Sequence, residues 1–215
     1  MTPDAGLLRA SPVAVAIRRA RLIVVLRRVA PQDRLVRLVE ELAAVGASVF
    51  EVTFDAPSAA ADLRACRTAL AGATPERFVG AGTILTAGSL DAAIDAGADF
   101  AVSPLIERSL VERSLARGVP FLPGALTPTE IDTAWRAGAT FVKLFPASSV
   151  GPGHVRELRG PLGEIELVPT GGIDATSAGA FLAAGAVAVG IGGALVNADA
   201  TGRRAILEAV RDTGS

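Results

Sequence analysis

Of the 21 basic residues in this 215-residue chain, 20 are arginine and one is lysine, Lys143. That lysine lies in Phe141-Val142-Lys143-Leu144-Phe145-Pro146, an apolar run closed by a turn residue. Arginine stays charged in any protein setting, whereas a buried lysine can shed its proton and become a nucleophile. The chemistry open to such an amine is addition to a carbonyl. The bland alternative is an ammonium that reaches water or a carboxylate. A carboxylate in a comparable setting is Glu51, within Val49-Phe50-Glu51-Val52-Thr53-Phe54. Alternation along a strand puts Glu51 on one face with Val49 and Thr53, and Phe50, Val52 and Phe54 on the other. By the same rule Lys143 shares a face with Phe141 and Phe145. An acid and an amine inside one apolar core have two readings. They neutralise each other as a buried ion pair, or the amine attacks a carbonyl while the carboxylate moves protons.

The elements that must position these two groups follow from a repeated phrase. Val45-Gly46-Ala47, Ala96-Gly97-Ala98, Ala137-Gly138-Ala139 and Ala184-Gly185-Ala186 recur, with Arg117-Gly118-Val119 as a variant. Each glycine follows a helix-period stretch and precedes a short apolar run, the signature of a helix ending in a glycine cap and handing over to a strand. The spacing fits a repeat of about 23 residues, one strand plus one helix. Strands are expected to begin near Leu22, Ser48, Phe78, Phe100, Val119, Phe141, Glu166 and Val187. Helices are expected over about 33–45, 57–71, 87–96, 107–117, 127–137, 151–160, 174–184 and 201–212. Eight alternations in one chain predict an α/β fold, a single-domain (β/α)8 TIM barrel over residues 1–215. Val13–Ile17 and the arginines after it predict a short N-terminal helix covering one end. An open doubly wound sheet is the alternative, but Arg27-Arg28-Val29-Ala30-Pro31 after the first strand contains no glycine for a phosphate turn.

In such a barrel the chemistry gathers at the C-terminal strand ends. Those ends supply Arg27, Glu51 with Thr53, Thr83, Ser103-Pro104, Lys143 with Phe145, and the glycine turns Thr170-Gly171-Gly172 and Gly190-Ile191-Gly192-Gly193. Glycines after the last two strands let backbone N–H groups approach an anion, although tight turns alone would also account for them. Gly80-Ala81-Gly82 lacks the rest of a dinucleotide fingerprint and fits a close-packed strand end. Trp135 falls in a helix-period stretch, outside the barrel.

Composition excludes several classes. The net charge is −1 with no basic stripe, which argues against nucleic acid as a partner. No run of about 18 apolar residues is present, so no membrane span is expected. The cytoplasm is the default compartment. One cysteine, Cys66, and one histidine, His154, exclude an intrachain disulfide and metal sites built on several of either residue. Cys66 is expected to be a buried packing residue on a helix. Without tyrosine, a Schiff-base lyase that relays protons through a phenol is also excluded.

These residues, in their order and spacing from about Leu22 to Val196, resemble the 2-keto-3-deoxy-6-phosphogluconate and 4-hydroxy-2-oxoglutarate aldolase family. The resemblance is carried by Glu51-Val52-Thr53, Gly80-Ala81-Gly82-Thr83, Ser103-Pro104, Phe141 to Pro146, Pro169 to Ile173 and Gly190 to Gly193. It implies a class I lyase that needs no metal or other cofactor and cleaves a small keto acid, phosphorylated in some branches, to pyruvate and an aldehyde. By resemblance Lys143 is the Schiff-base lysine and Glu51 the acid/base. Thr83, Pro104, Phe145 and Thr170 would line the pyruvate pocket, and Gly171 and Gly172 would belong to the anion site, with Gly192 and Gly193 beside them. A homotrimer is expected on the same ground. Two positions depart from the phosphogluconate branch: Asp55 stands where an arginine is typical, and Ala194 where a serine is. Arg27 resembles the phosphogalactonate branch, where that arginine serves the binding site. The rival from another class is a barrel that binds a sugar phosphate or keto acid without turning it over.

Overall fold

A computed structural model describes residues 5–211. The chain opens with two helices, α1 (Ala5–Arg9) and α2 (Pro12–Ala20), before the first strand, β1 (Leu22–Leu26). Alternation then runs α3 (Gln32–Ala44), β2 (Val49–Thr53), α4 (Ala59–Ala69), β3 (Phe78–Gly82), α5 (Ala87–Asp95), β4 (Ala101–Val102) and α6 (Arg108–Ala116). Next come β5 (Phe121–Leu122), β6 (Gly124–Ala125), α7 (Pro128–Arg136), β7 (Val142–Leu144), a 3-10 turn at Ala147–Ser149 and α8 (Gly151–Leu158). The described chain closes with β8 (Leu167–Pro169), α9 (Ala175–Ala183), β9 (Val189–Ile191), α10 (Gly193–Val196) and α11 (Ala200–Arg211). All eight expected strands and all eight expected helices are present within a few residues. Residue 212 of the last expected helix lies outside the described residues.

The strands form a curled, wholly parallel α/β arrangement. Six pair in the order β5-β4-β3-β2-β1-β9 and three in the order β6-β7-β8. The fifth expected strand is split at Pro123, whose ring nitrogen has no hydrogen to give a ladder. Backbone contacts nevertheless run between the two sheets. Thr140 N donates to Phe121 O at 2.9 Å and Val187 N to Leu167 O at 3.0 Å, and Thr170 bridges Gly190.

Local sequence explains where the helices start and stop. Thr86 with Ser89, Thr127 with Glu130 and Asp174 with Ser177 form reciprocal capping boxes at the starts of α5, α7 and α9. The five glycines of the repeated phrase all have positive φ, from 69° at Gly118 to 107° at Gly138 and Gly185. Each closes its helix with the paired backbone bonds of a Schellman turn, such as Ala98 N to Ala93 O at 3.0 Å.

Two apolar clusters follow from strand alternation. Phe50, Val52, Val142 and Leu144 point to the helices, while Ile23, Val49, Phe100, Val102, Leu122, Phe141 and Val168 form an inner cluster. Val13, Ala14 and Ile17 of α2 complete that inner cluster, so the expected short N-terminal helix stoppers the end at which the strands begin. Arg18 fastens it there. Its guanidinium donates twice to Glu166, at 2.7 and 2.6 Å, and lies 4.9 Å from the Phe141 ring centroid. No described helix is long and apolar enough to cross a membrane.

Candidate active site

At the opposite end, where the strands finish, a cavity of about 490 Å³ opens. Arg27, Glu51, Thr83, Pro104, Lys143, Phe145, Thr170, Gly171, Gly172, Gly192 and Gly193 all line it. Every residue given a catalytic or binding role by the resemblance is therefore brought to one place; Ser103, also at a strand end, does not line the cavity. Val25, Thr53, Ile173, Asp174, Gly190 and Ala194 complete the wall.

Glu51 and Lys143 arrive from separate sheets, in β2 and β7. Each is buried, at 2% and 6% exposure, yet no ion pair joins them. Glu51 Oε1 has no hydrogen-bond partner. The Lys143 amine has no protein hydrogen bond either and lies 4.9 Å from the Phe145 ring centroid. A native core leaves few buried polar groups unmatched, and a buried carboxylate and amine that line one cavity without pairing mark a candidate site. The buried ion pair that the sequence left open is not formed.

Space for these side chains is made by glycine. A Cβ on Gly82 would overlap the Glu51 carboxylate, and one on Gly190 would overlap Thr170. Gly171 keeps the Phe145 ring in place, since a Cβ there would stand 3.0 Å from the ring. Gly80 fits close packing as expected, because its Cβ would meet the Phe100 ring at 2.5 Å. Thr83 is held at φ +58°, a conformation that a β-branched residue adopts only under constraint.

Two carboxylates, Asp174 in the cavity wall and Asp55 behind it, were given no site role from the sequence. Asp55 accepts the Thr53 hydroxyl at 2.7 Å and pairs with Arg27 at 3.1 Å and Arg28 at 3.2 Å. Partial burial works to raise the Asp55 carboxyl. The Thr53 hydrogen bond and the two guanidiniums outweigh it and hold the group below the ordinary carboxylate range. The strand period that pairs Glu51 with Thr53 continues to Asp55 and could have placed it there. Asp174 caps α9, and the Thr176 hydroxyl together with the Ser177 N–H and hydroxyl lowers its carboxyl from 3.8 to about 2. An aspartate directly after Gly-Gly-Ile and before a helix was the available signal for it.

Elsewhere Cys66 is buried in α4, and burial, with the Asp62 charge adding to it, pushes its thiol up to about 12. Trp135 lies on α7 beneath Arg9, whose guanidinium carbon is 3.4 Å from the ring centroid. No group of three or more metal-ligating side chains is present among the described residues.

A parallel α/β fold with an amine and an acid in a cavity at its strand ends has the architecture of the barrel-like enzymes, whose active sites lie at that end. The comparisons with known proteins narrow that class. The model of the KDPG and KHG aldolase family matches residues 13–209, and the chain belongs to that family. A probable 2-dehydro-3-deoxy-6-phosphogalactonate aldolase of Rhizobium meliloti is 31% identical over 175 residues, covering 81% of each chain. A solved structure described as native KDPGal superposes with a TM-score of 0.82 at 28% identity, covering 89% of this chain and 95% of that one. The KDPG aldolase of Legionella pneumophila, solved with pyruvate captured as a covalent carbinolamine, has a TM-score of 0.77 at 26% identity over the whole of both chains.

Proposed function

We propose that this protein is a class I aldolase that cleaves a 4-hydroxy-2-keto acid to pyruvate and an aldehyde through an imine on Lys143. The carrying observation is the pair of buried, mutually unpaired groups, Lys143 and Glu51, on one cavity wall. The Lys143 nitrogen adds to the C2 carbonyl, and Glu51 passes protons as the carbinolamine loses water. The resulting cationic imine withdraws the C3–C4 bonding electrons while the 4-hydroxyl gives up its proton, and the aldehyde leaves. The enamine that remains takes a proton at C3, and water then releases pyruvate and restores the amine. Thr83, Pro104, Phe145 and Thr170 would hold the pyruvate portion. Arg27 and the amides of Gly171, Gly172, Gly192 and Gly193 stand where the distal end of the substrate would lie.

The same reading treats the two sheets as one closed (β/α)8 barrel in a single domain. The Thr170–Gly190 bridge and the bonds across Pro123 support closure. It also expects a homotrimer, for which the exposed Leu85 and Leu105 offer apolar surface. The deciding experiment is intact mass and peptide mapping after incubation with pyruvate and borohydride. A reduced adduct on Lys143, absent without borohydride, is the expected result, and the single lysine makes the assignment unambiguous apart from the N-terminal amine. A folded protein that forms no adduct would favour a binding protein without turnover.

A further inference from the structure

We propose that Asp55 withholds Arg27 from the substrate, so that the cavity prefers 4-hydroxy-2-keto acids whose aldehyde-derived end is uncharged and hydroxylated over phosphorylated ones. The inference rests on the imine reading above and refines its substrate class. Asp55 stands directly behind the cavity wall, joined to two lining residues. The Thr53 hydroxyl donates to its Oδ1 at 2.7 Å, and Arg27 Nε donates to its Oδ2 at 3.1 Å. Arg28, held at φ +49°, adds its Nε to the same Oδ2 at 3.2 Å and its Nη2 to the Asp55 carbonyl at 3.4 Å. The side chain of Asp55 is 16% exposed against 58% and 69% for the arginines, so the carboxylate is the fixed member and the guanidiniums come to it.

The charge balance of the wall points the same way. Its ionisable members are Arg27 and Lys143 against Glu51 and Asp174. Lys143 must be neutral to attack a carbonyl, and Asp55 holds Arg27 by its Nε while Arg28 shares the same carboxylate. The Asp174 carboxylate already occupies the α9 N-terminus, where an anion would otherwise be received. Ala194 offers no hydroxyl. A terminal phosphate would therefore meet backbone amides and two carboxylates, and would have to compete with Asp55 for Arg27, whose Nε is already engaged. A terminal hydroxyl loses nothing there, because it can donate as well as accept.

The test is steady-state kinetics on a matched pair, a 2-keto-3-deoxy sugar acid and its terminal phosphate ester. The enzymes compared are wild type, Asp55→Asn, Asp55→Glu and the double variant Asp55→Asn with Arg27→Gln. Wild type is expected to show the higher kcat/KM on the unphosphorylated acid. Asp55→Asn should move the ratio about tenfold toward the phosphate, the size of a released charge-assisted contact, and should do so in KM. Asp55→Glu should restore the wild-type ratio, and the double variant should lose the gain. A purely structural role for Asp55 would lower kcat on both substrates alike and leave the ratio unmoved. Wild-type preference for the phosphate, or an unchanged ratio in a folded Asp55→Asn, overturns the proposal. Borohydride trapping of pyruvate on the same preparations separates the two levels. An adduct with an unchanged ratio removes this proposal alone, whereas a wild type that forms no adduct removes the imine reading and this inference with it.

Discussion

Replacing Glu51 with glutamine keeps the shape of the side chain and removes its charge, and the structure predicts opposite effects on stability and on turnover. Glu51 is 2% exposed, its Oε1 has no hydrogen-bond partner, and no ion pair reaches its carboxylate. Leaving a charged oxygen unpaired in a core costs more than leaving an amide oxygen unpaired. The variant should therefore gain about 1–2 kcal/mol, the difference between an unmatched ionised acceptor and an unmatched neutral one. That is a sizeable share of a total stability of about 5–15 kcal/mol. Loss of the proton carrier should lower kcat by about 10²–10⁴-fold, the range for positioned general acids and bases. Urea unfolding followed by circular dichroism reads the first effect as a higher midpoint at unchanged slope. Initial rates of pyruvate release read the second. A variant less stable than wild type would mean that the Glu51 charge is satisfied in the folded protein. A kcat within about threefold of wild type would remove Glu51 from proton transfer. Either result refutes the reasoning.

Gly82→Ala should destabilise the fold by about 1–3 kcal/mol and reduce kcat at least tenfold, because its Cβ falls on the Glu51 carboxylate; denaturation and rate measurements on the same sample check both. Thr83→Gly should raise the unfolding free energy by about 1 kcal/mol through relief of its positive φ, while KM for pyruvate in the reverse reaction rises with the loss of a cavity side chain. The Asp174 carboxyl is lowered in the fold from 3.8 to about 2, so its stabilisation is present above pH 4 and lost as the pH falls from 4 to 2. Asp174→Asn retains a capping side chain and should flatten that acid limb in urea titrations at stepped pH. Cys66, its thiol pushed up to about 12 by burial, should resist a disulfide reagent at pH 8 in native protein and react fully in urea.

The parts of this molecule that could be read from sequence are those in which local chemistry and global fold agree. Glycine at 46, 97, 118, 138 and 185 announced the helix ends because a left-handed cap excludes most other residues, and all five carry positive φ. Glu51 and Lys143 were visible because charge on the inner face of an apolar strand violates the pattern around it. The split of the fifth strand at Pro123 and the short helix Gly193–Val196 were not foreseen, since both arise from how neighbouring strands and turns pack. Asp55 was noticed only as a departure from a family pattern. Its partners Arg27 and Arg28 come from another strand end, 28 and 27 residues away, and no local signal links them. The same holds for the absence of a Glu51–Lys143 pair. Alternation tells which face a side chain takes but not whether two inward groups meet.

The division of the molecule into two ends gives that absence its meaning. At the end where strands begin, the inner face is filled by Ile23, Val49, Phe100, Phe141 and Val168, closed over by α2 and the Arg18–Glu166 clasp. Among the described residues the one buried side-chain atom without a partner near that end is Arg77 Nε, just ahead of β3. At the other end the same inner face carries an orphaned carboxylate, an amine without a hydrogen bond, a threonine at positive φ and a glycine, Gly82, that leaves room for the carboxylate. Each of these lowers stability where it stands. They are tolerated together because the closed end and the capped helices hold the strands in register without them. Under the imine reading, an amine and an acid paired across this cavity would make a poorer enzyme, since a carbonyl carbon would have to break the pair before the amine could add to it. Their separation is thus what the imine reading needs of this cavity, and it is the strongest structural reason to treat the cavity as a place of chemistry.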